Sequence, residues 1–211
     1  MMNSLMTKKI PDLTANIFSV LFHPLLIPLY GLLIIFSAPT LFGYLPVQVK
    51  RYIFLIVLIN NVLLPLSLLP YFRYRKYISS WEISDRKERV LPMIVTSFFY
   101  SVTVYIVIKF HIPFFIKSFI ITAAILSIST TIINFWWKIS IHAVGTGALL
   151  ALVVILSLRT QAPLTGFLIG VILASGVVLT SRLWLGAHKP AEIWSGYLLG
   201  IIIPAILLLF A

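Results

Sequence analysis

The segment 181–192, SRLWLGAHKPAE, places several ionisable side chains between two long apolar runs. Only 10% of the chain is charged, so this concentration calls for an explanation. If a helix begins near His188, Glu192 lies one turn further along the same face, and Pro190 suits the first turn of that helix. A carboxylate in that position can fix the tautomer of an imidazole and raise its basicity. The segment therefore predicts an oriented histidine, although polar groups that simply reach the membrane surface are the alternative.

A second polar group lies in the segment 137–147, WKISIHAVGTG. Lys138, Ser140 and His142 alternate just before the small residues that open an apolar run. The free N–H groups at a helix start attract anions, and Lys138 and Ser140 would add donors there. A core histidine beside glycines that allow close helix packing is the alternative. That alternative explains the glycines well and the polar group poorly.

A third polar group is the segment 73–89, which is rich in arginine, lysine and tyrosine. Its first part, with Arg73, Arg75 and Lys76, is typical of an anchor at a surface of anionic lipid. Arg86 and Arg89 are three residues apart, hence neighbours on a helix, and they adjoin the next apolar run. For these two arginines we expect a functional role.

Together the three segments supply side chains of the types that bind phosphate. Arginine forks match phosphate oxygens with two parallel hydrogen bonds. The chain has only five Asp and Glu residues and no cysteine, so a carboxylate cluster for Mg²⁺ and thiolate chemistry are both excluded. We therefore expect neither a metal nor another cofactor, and in a metal-free reaction histidine can serve as the nucleophile.

The composition indicates the setting of this chemistry. The 211 residues are 61% hydrophobic, and the mean hydropathy is +1.09. Runs of about 18 or more apolar residues indicate transmembrane helices. The fold class is thus all-α, a polytopic membrane helical bundle of about six or seven transmembrane helices. The apolar segments are roughly 13–37, 51–71, 91–109, 117–136, 141–158, 163–181 and 190–210.

No soluble domain fits between these segments, so residues 1–211 form a single integral membrane domain. The net charge of +11 suits interface anchoring and an anionic substrate. The basic residues are spread over short loops, which argues against nucleic acid. Because each full span changes sides, the loops 72–90, 137–140 and 182–189 fall on one face. All five tryptophans lie in or near these loops, which places them at the lipid headgroups.

The pattern resembles the type 2 phosphatidic acid phosphatase superfamily. Ser181, Arg182 and His188 match its third motif, S-R-x5-H-x3-D, and Glu192 stands at the aspartate position. The residues 139–142, ISIH, match two of four positions of the second motif, P-S-G-H. The first motif, K-x6-R-P, is not reproduced, and an apolar hairpin at 91–136 separates its place from the second motif. The motif-bearing core is then roughly 85–211.

The resemblance implies a metal-independent phosphatase for a lipid phosphate or diphosphate, with undecaprenyl pyrophosphate as the leading candidate. In that reading His188 attacks phosphorus, Glu192 orients it, and His142 transfers protons. The phosphate would be bound by Arg182, Arg86, Arg89, Lys138 and Ser140. The alternative is a transporter or binding protein that holds anionic lipid headgroups without chemistry. Oriented histidines favour the enzyme, because binding needs only cations.

The resemblance also implies a multi-pass protein of the bacterial inner membrane with its site on the outer, periplasmic face. The positive-inside rule points the other way, because the motif face carries most of the Lys and Arg residues. Four of those residues are the proposed ligands, and without them the two faces are nearly balanced. An outer site requires an outer N-terminus with seven full spans, or one segment that does not cross. The proline-containing first segment would be the candidate for the latter.

Overall fold

The computed structural model describes residues 2–81, 83 and 85–211, with side chains from Asp12 onward. These residues form helices joined by short loops, and the described part of the chain contains no β-strand. The predicted all-α bundle is therefore confirmed. The helices are α1 (Met2–Leu21), α2 (Ile27–Ser37), α3 (Val47–Leu58), α4 (Leu64–Tyr74), α5 (Arg86–Val107), α6 (Phe114–Asn134), α7 (Ile141–Thr160), α8 (Thr165–Trp184) and α9 (Pro190–Leu209).

Seven segments of the described chain are long and apolar enough to cross a membrane. Five are single helices, α5 to α9. The other two, Asp12–Ser37 and Val47–Tyr74, each join two helices. Every segment agrees with the sequence expectation to within a few residues. The chain is thus a multi-pass membrane protein.

The first segment is broken at residues 22–26 because of the pair His23-Pro24. Proline has no N–H to donate to the preceding turn, and its ring forces the residue before it out of the helical region. His23 accordingly has φ −59° and ψ 136° and begins a short 3₁₀ turn. The helix resumes at Ile27.

Despite this break, the first segment runs the full height of the bundle. Ser19 contacts His142 near the start of α7, Gly31 packs against the middle of α7, and Thr40 shares a groove with Thr160 at its end. These contacts follow α7 from one end to the other. The structure therefore does not support a first segment that fails to cross.

The second segment contains a π-helical turn at Ile59–Leu63. Asn61 is fully buried in it, and its side-chain oxygen accepts a 2.6 Å hydrogen bond from Thr103 of α5. The extra residue of a π turn changes which side chains face inward. Here it places a polar amide against a hydroxyl at a depth where water is scarce.

Hydroxyl groups also set the register of the α5–α6 hairpin. Ser97 of α5 lies 2.9 Å from Ser127 and 2.9 Å from Thr131 of α6, measured between side-chain oxygens. At the end of the hairpin the Asn134 side chain donates to the Arg86 carbonyl over 3.1 Å. Such bonds between helices help to fix their pairing where hydrophobicity alone cannot.

The helices α7 and α9 approach each other so closely that their backbones touch. A Cβ atom on Gly147 would overlap the carbonyl oxygen of Tyr197, and one on Gly200 would overlap that of Val144. Glycine is required here because only a hydrogen fits between the two backbones. This contact fixes the distance between the starts of the two helices.

We expect Gly200→Ala to lower the unfolding temperature in detergent, because the added methyl group must push α7 and α9 apart. Overpacking of this kind costs about 1–3 kcal/mol. Gly176→Ala in α8 is the matched control, because its Cβ would meet nothing within 4 Å. There alanine should leave stability unchanged or raise it by up to about 1 kcal/mol through helix propensity. Equal unfolding temperatures for Gly200→Ala and the wild type would contradict this assignment.

Candidate active site

The three polar segments meet at one end of the bundle. The Lys138 ammonium donates to the Ala187 carbonyl over 3.1 Å, and the Ser140 N–H donates to the Glu192 carbonyl over 3.1 Å. A nitrogen of Arg89 lies 3.4 Å from Nε2 of His188. The shared face predicted by counting spans is thus present in the structure.

His188 and Glu192 form the predicted pair, with Nδ1 and Oε2 2.8 Å apart. The reason differs from the one expected, because α9 begins at Pro190 and His188 lies two residues before it. Glu192 is the third residue of the helix and turns back towards its start, where it also accepts the Lys189 N–H over 3.2 Å. The histidine is therefore held by a helix-capping carboxylate rather than by a neighbour on a helical face.

Burial sets the protonation state of His188, whose side chain is only 1% exposed. Burial lowers the pKa of His188 to about 4, the hydrogen bond with Glu192 opposes this shift, and Arg89 and Arg182 add to it. The ring is consequently neutral at pH 7. A carboxylate accepts, so the single N–H lies on Nδ1 and the lone pair on Nε2. That lone pair lies beside Arg89, as a nucleophile for a phosphoryl group would require.

Two arginines lie beside the His188 ring, Arg89 from α5 and Arg182 from the end of α8. Arg89 is buried, and its Nε donates to the Ile83 carbonyl over 2.7 Å. Arg182 reaches the Ser19 hydroxyl at 3.5 Å. Both guanidinium groups line the same cavity as His188. The site is thus cationic, and the carboxylate of Glu192 lies beside it.

His142 lies on the first turn of α7 and is also held by a single acceptor. Its Nε2 is 3.1 Å from the carbonyl oxygen of Ser19. A carbonyl can only accept, so Nε2 carries a proton and Nδ1 is the nitrogen available for proton exchange. The Ser19 carbonyl is available because α1 ends close to it. In a continuing helix the His23 N–H would donate to the Ser19 carbonyl, but here it donates to the Val20 carbonyl.

Three predicted phosphate ligands lie outside the cavity that holds the histidines. The Arg86 guanidinium donates to the carbonyls of Asn134, over 2.9 Å, and Phe135, where it caps the end of α6. Ser140 is fully buried, and its hydroxyl has no hydrogen-bond partner in the described part of the chain. Lys138 lies at the rim, where partial burial, and then Arg89, lower its pKa. In the structure Arg86 and Ser140 therefore contact the surrounding helices and do not line the cavity.

Two residues that were not among the predicted site residues, Ser19 and His23, also lie at this end of the bundle. Both come from the first segment, which lies outside the region that resembles the superfamily. His23 lines the cavity, and its ring centroid is 5.9 Å from that of His142 at an angle of 81°. The available signal was a histidine directly before a proline within an apolar run, which marks a break that exposes polar groups.

Below the polar end the cavity continues into the bundle, with a volume of about 260 Å³. Arg89 and Tyr100 both line it from α5, and eleven residues of helix correspond to about 16 Å. Its deeper wall is mostly apolar, with hydroxyl groups from α5 and α6. Among the residues that line it are Pro28, Met93, Thr96, Phe119, Leu126 and Leu208. This shape suits a lipid whose polar end stays at the histidines while its tail lies between the helices.

Among the described side chains, which begin at Asp12, no three histidine, aspartate or glutamate residues come together as metal ligands. No family model, no curated protein and no solved structure matches the chain.

We expect His188 to titrate with a pKa of about 4, because burial disfavours the imidazolium. Nuclear magnetic resonance of isotope-labelled histidine in detergent can measure this, with His188→Gln to assign the signal. Glu192→Gln removes the charge that favours protonation, so the pKa should fall further. A pKa near the ordinary value of 6.5 would contradict the neutral ring.

Proposed function

We propose that the chain is a membrane-embedded, metal-independent phosphatase that hydrolyses a lipid phosphate or diphosphate through a phosphohistidine. The observation that carries this proposal is the buried, neutral His188, held by Glu192 and flanked by Arg89 and Arg182 at the mouth of an apolar cavity. Binding an anion requires cations alone, whereas this arrangement adds an oriented lone pair beside them.

In the first step Nε2 of His188 attacks phosphorus and forms a P–N bond. His142 starts neutral and takes a proton onto Nδ1 from the bound phosphate monoanion. The bond from phosphorus to the lipid oxygen breaks, its electron pair goes to that oxygen, and His142 donates the proton to it from Nδ1. In the second step His142 takes a proton from water, which attacks phosphorus and breaks the P–N bond. Inorganic phosphate leaves with that proton, and both histidines return to their neutral starting forms.

Arg89 and Arg182 stabilise the charge on the phosphoryl oxygens as it shifts between the bonds. Such preorganised charge is the main catalytic contribution in phosphoryl transfer. Lys138 at the rim adds to the positive potential that draws the headgroup in. Arg86 contributes through the position of α5 and α6 rather than through the phosphate.

The tail of the lipid occupies the cavity between α5, α6 and α7. The apolar wall suits the tail of any of several lipids, and undecaprenyl pyrophosphate remains the leading candidate among them. Phosphatidylglycerol phosphate and phosphatidate present the same headgroup chemistry. No cofactor and no nucleic acid enter this scheme, and the partner is the membrane itself.

The test is phosphate release by the purified protein from these three lipids with a chelator present. We expect release to continue, and His188→Asn to abolish both turnover and an acid-labile phosphoenzyme. His142→Asn should lower kcat by about 10²–10⁴-fold, the usual contribution of a proton-transfer group. His111→Asn is the matched control, because His111 is exposed on the loop between α5 and α6.

Two outcomes would overturn the proposal. Activity that vanishes in the chelator and returns with Mg²⁺ or Zn²⁺ would replace the histidine mechanism with a metal-dependent one. Lipid binding without phosphate release would favour the alternative, a transporter or binding protein for anionic headgroups.

We further propose that the site faces the periplasm in a bacterial inner membrane, as the resemblance implies, with the N-terminus on the same side. The chain has no cysteine, so single cysteines report cleanly. Ser80→Cys at the site end should react with an impermeant thiol reagent on intact cells, and Thr160→Cys at the other end should not. Labelling at position 160 alone would place the site in the cytoplasm.

A further inference from the structure

The broken first segment brings a third histidine to the site. His23 lines the same cavity as His142, His188 and the two arginines. Its ring meets that of His142 edge to face, with centroids 5.9 Å apart. This arrangement arises from parts of the chain that are far apart in sequence, and His142 is the ring that transfers the proton in the proposed function.

The geometry fixes which nitrogen of His23 faces outward. Its Nδ1 accepts the Leu25 N–H over 3.3 Å, as the cap of the 3₁₀ turn. An accepting nitrogen has no proton, so the neutral ring carries its proton on Nε2. In the described part of the chain no hydrogen bond satisfies this N–H, and the ring borders the cavity. His23 thus offers one fixed donor beside His142.

We propose that His23 binds the leaving group of the phosphoryl transfer, donating its Nε2–H to the oxygen that separates from phosphorus. This inference rests on the proposed phosphatase function. When the P–O bond breaks, the electron pair goes to that oxygen. His142 supplies the proton, and the His23 hydrogen bond stabilises the charge until the proton arrives. His23 itself neither gains nor loses a proton, so the proton balance of the reaction is unchanged.

Cap formation is the competing explanation for the histidine, and two substitutions separate the explanations. Asparagine is among the best helix caps and can replace the Nδ1 acceptor, but it has nothing at the position of Nε2. Glutamine places an N–H donor near the position of Nε2 and caps poorly. A leaving-group role predicts that His23→Gln keeps more activity than His23→Asn, whereas a capping role predicts the reverse order.

The experiment compares kcat/KM for an alkyl phosphate and for nitrophenyl phosphate, with His111→Asn as the control. An alkoxide is a poor leaving group that needs a donor, whereas nitrophenolate leaves without one. We expect His23→Asn to lower kcat/KM for the alkyl phosphate by about 10²-fold, as for the loss of one donor to a developing oxyanion. The same variant should change the nitrophenyl reaction little, which also shows that it is folded.

Three outcomes would overturn the role of His23 without contradicting the phosphatase function. They are an equal loss of kcat/KM on both substrates, no loss on either substrate, and better activity for His23→Asn than for His23→Gln. A wild-type protein that releases phosphate neither from these two substrates nor from the three lipids would overturn the proposed function itself. The two failures are therefore distinguishable in one set of measurements.

Discussion

The site depends on the backbone contact between α7 and α9. Gly147 and Gly200 let the two helices touch, and Gly196 lets the Ser140 carbonyl lie 2.7 Å from where a Cβ would be. His142 sits on the first turn of α7, and Glu192 on that of α9. Because the contact is between backbones, side-chain motion cannot loosen it. It thus fixes the relative position of His142 and of Glu192, the carboxylate that holds the His188 ring.

The α5–α6 hairpin, which separates the places of the first two motifs, forms the wall of the cavity. Hydrogen bonds from Ser97 to Ser127 and Thr131 hold its register within the bilayer, and Arg86 ties its open end together. Arg89 reaches the histidines because it lies on the first turn of the same hairpin. The hairpin therefore supplies both a wall of the internal cavity and the cation beside His188.

The sequence predicted the bundle, the seven segments and the meeting of three polar loops, because hydropathy and span counting report directly on the membrane. It also predicted the pair of His188 and Glu192, although for a reason that the capping geometry replaced. It could not distinguish the role of Arg86 from that of Arg89, because the spacing of the two residues does not show which side chain caps α6 and which lies beside His188. Ser19 and His23 were missed because their role depends on where a break leaves a carbonyl, which residue types do not report.

The two histidines are oriented by acceptors of different kinds. Glu192 is a side chain, and a single substitution removes it. The acceptor for His142 is the Ser19 carbonyl, which every amino acid possesses. In evolutionary terms, the residue at position 19 can vary without disturbing that hydrogen bond. The break in the helix at residues 22–26, which frees the carbonyl, cannot be lost. Selection on the orientation of His142 therefore acts on the pair His23-Pro24, several residues away from the carbonyl oxygen that accepts the hydrogen bond.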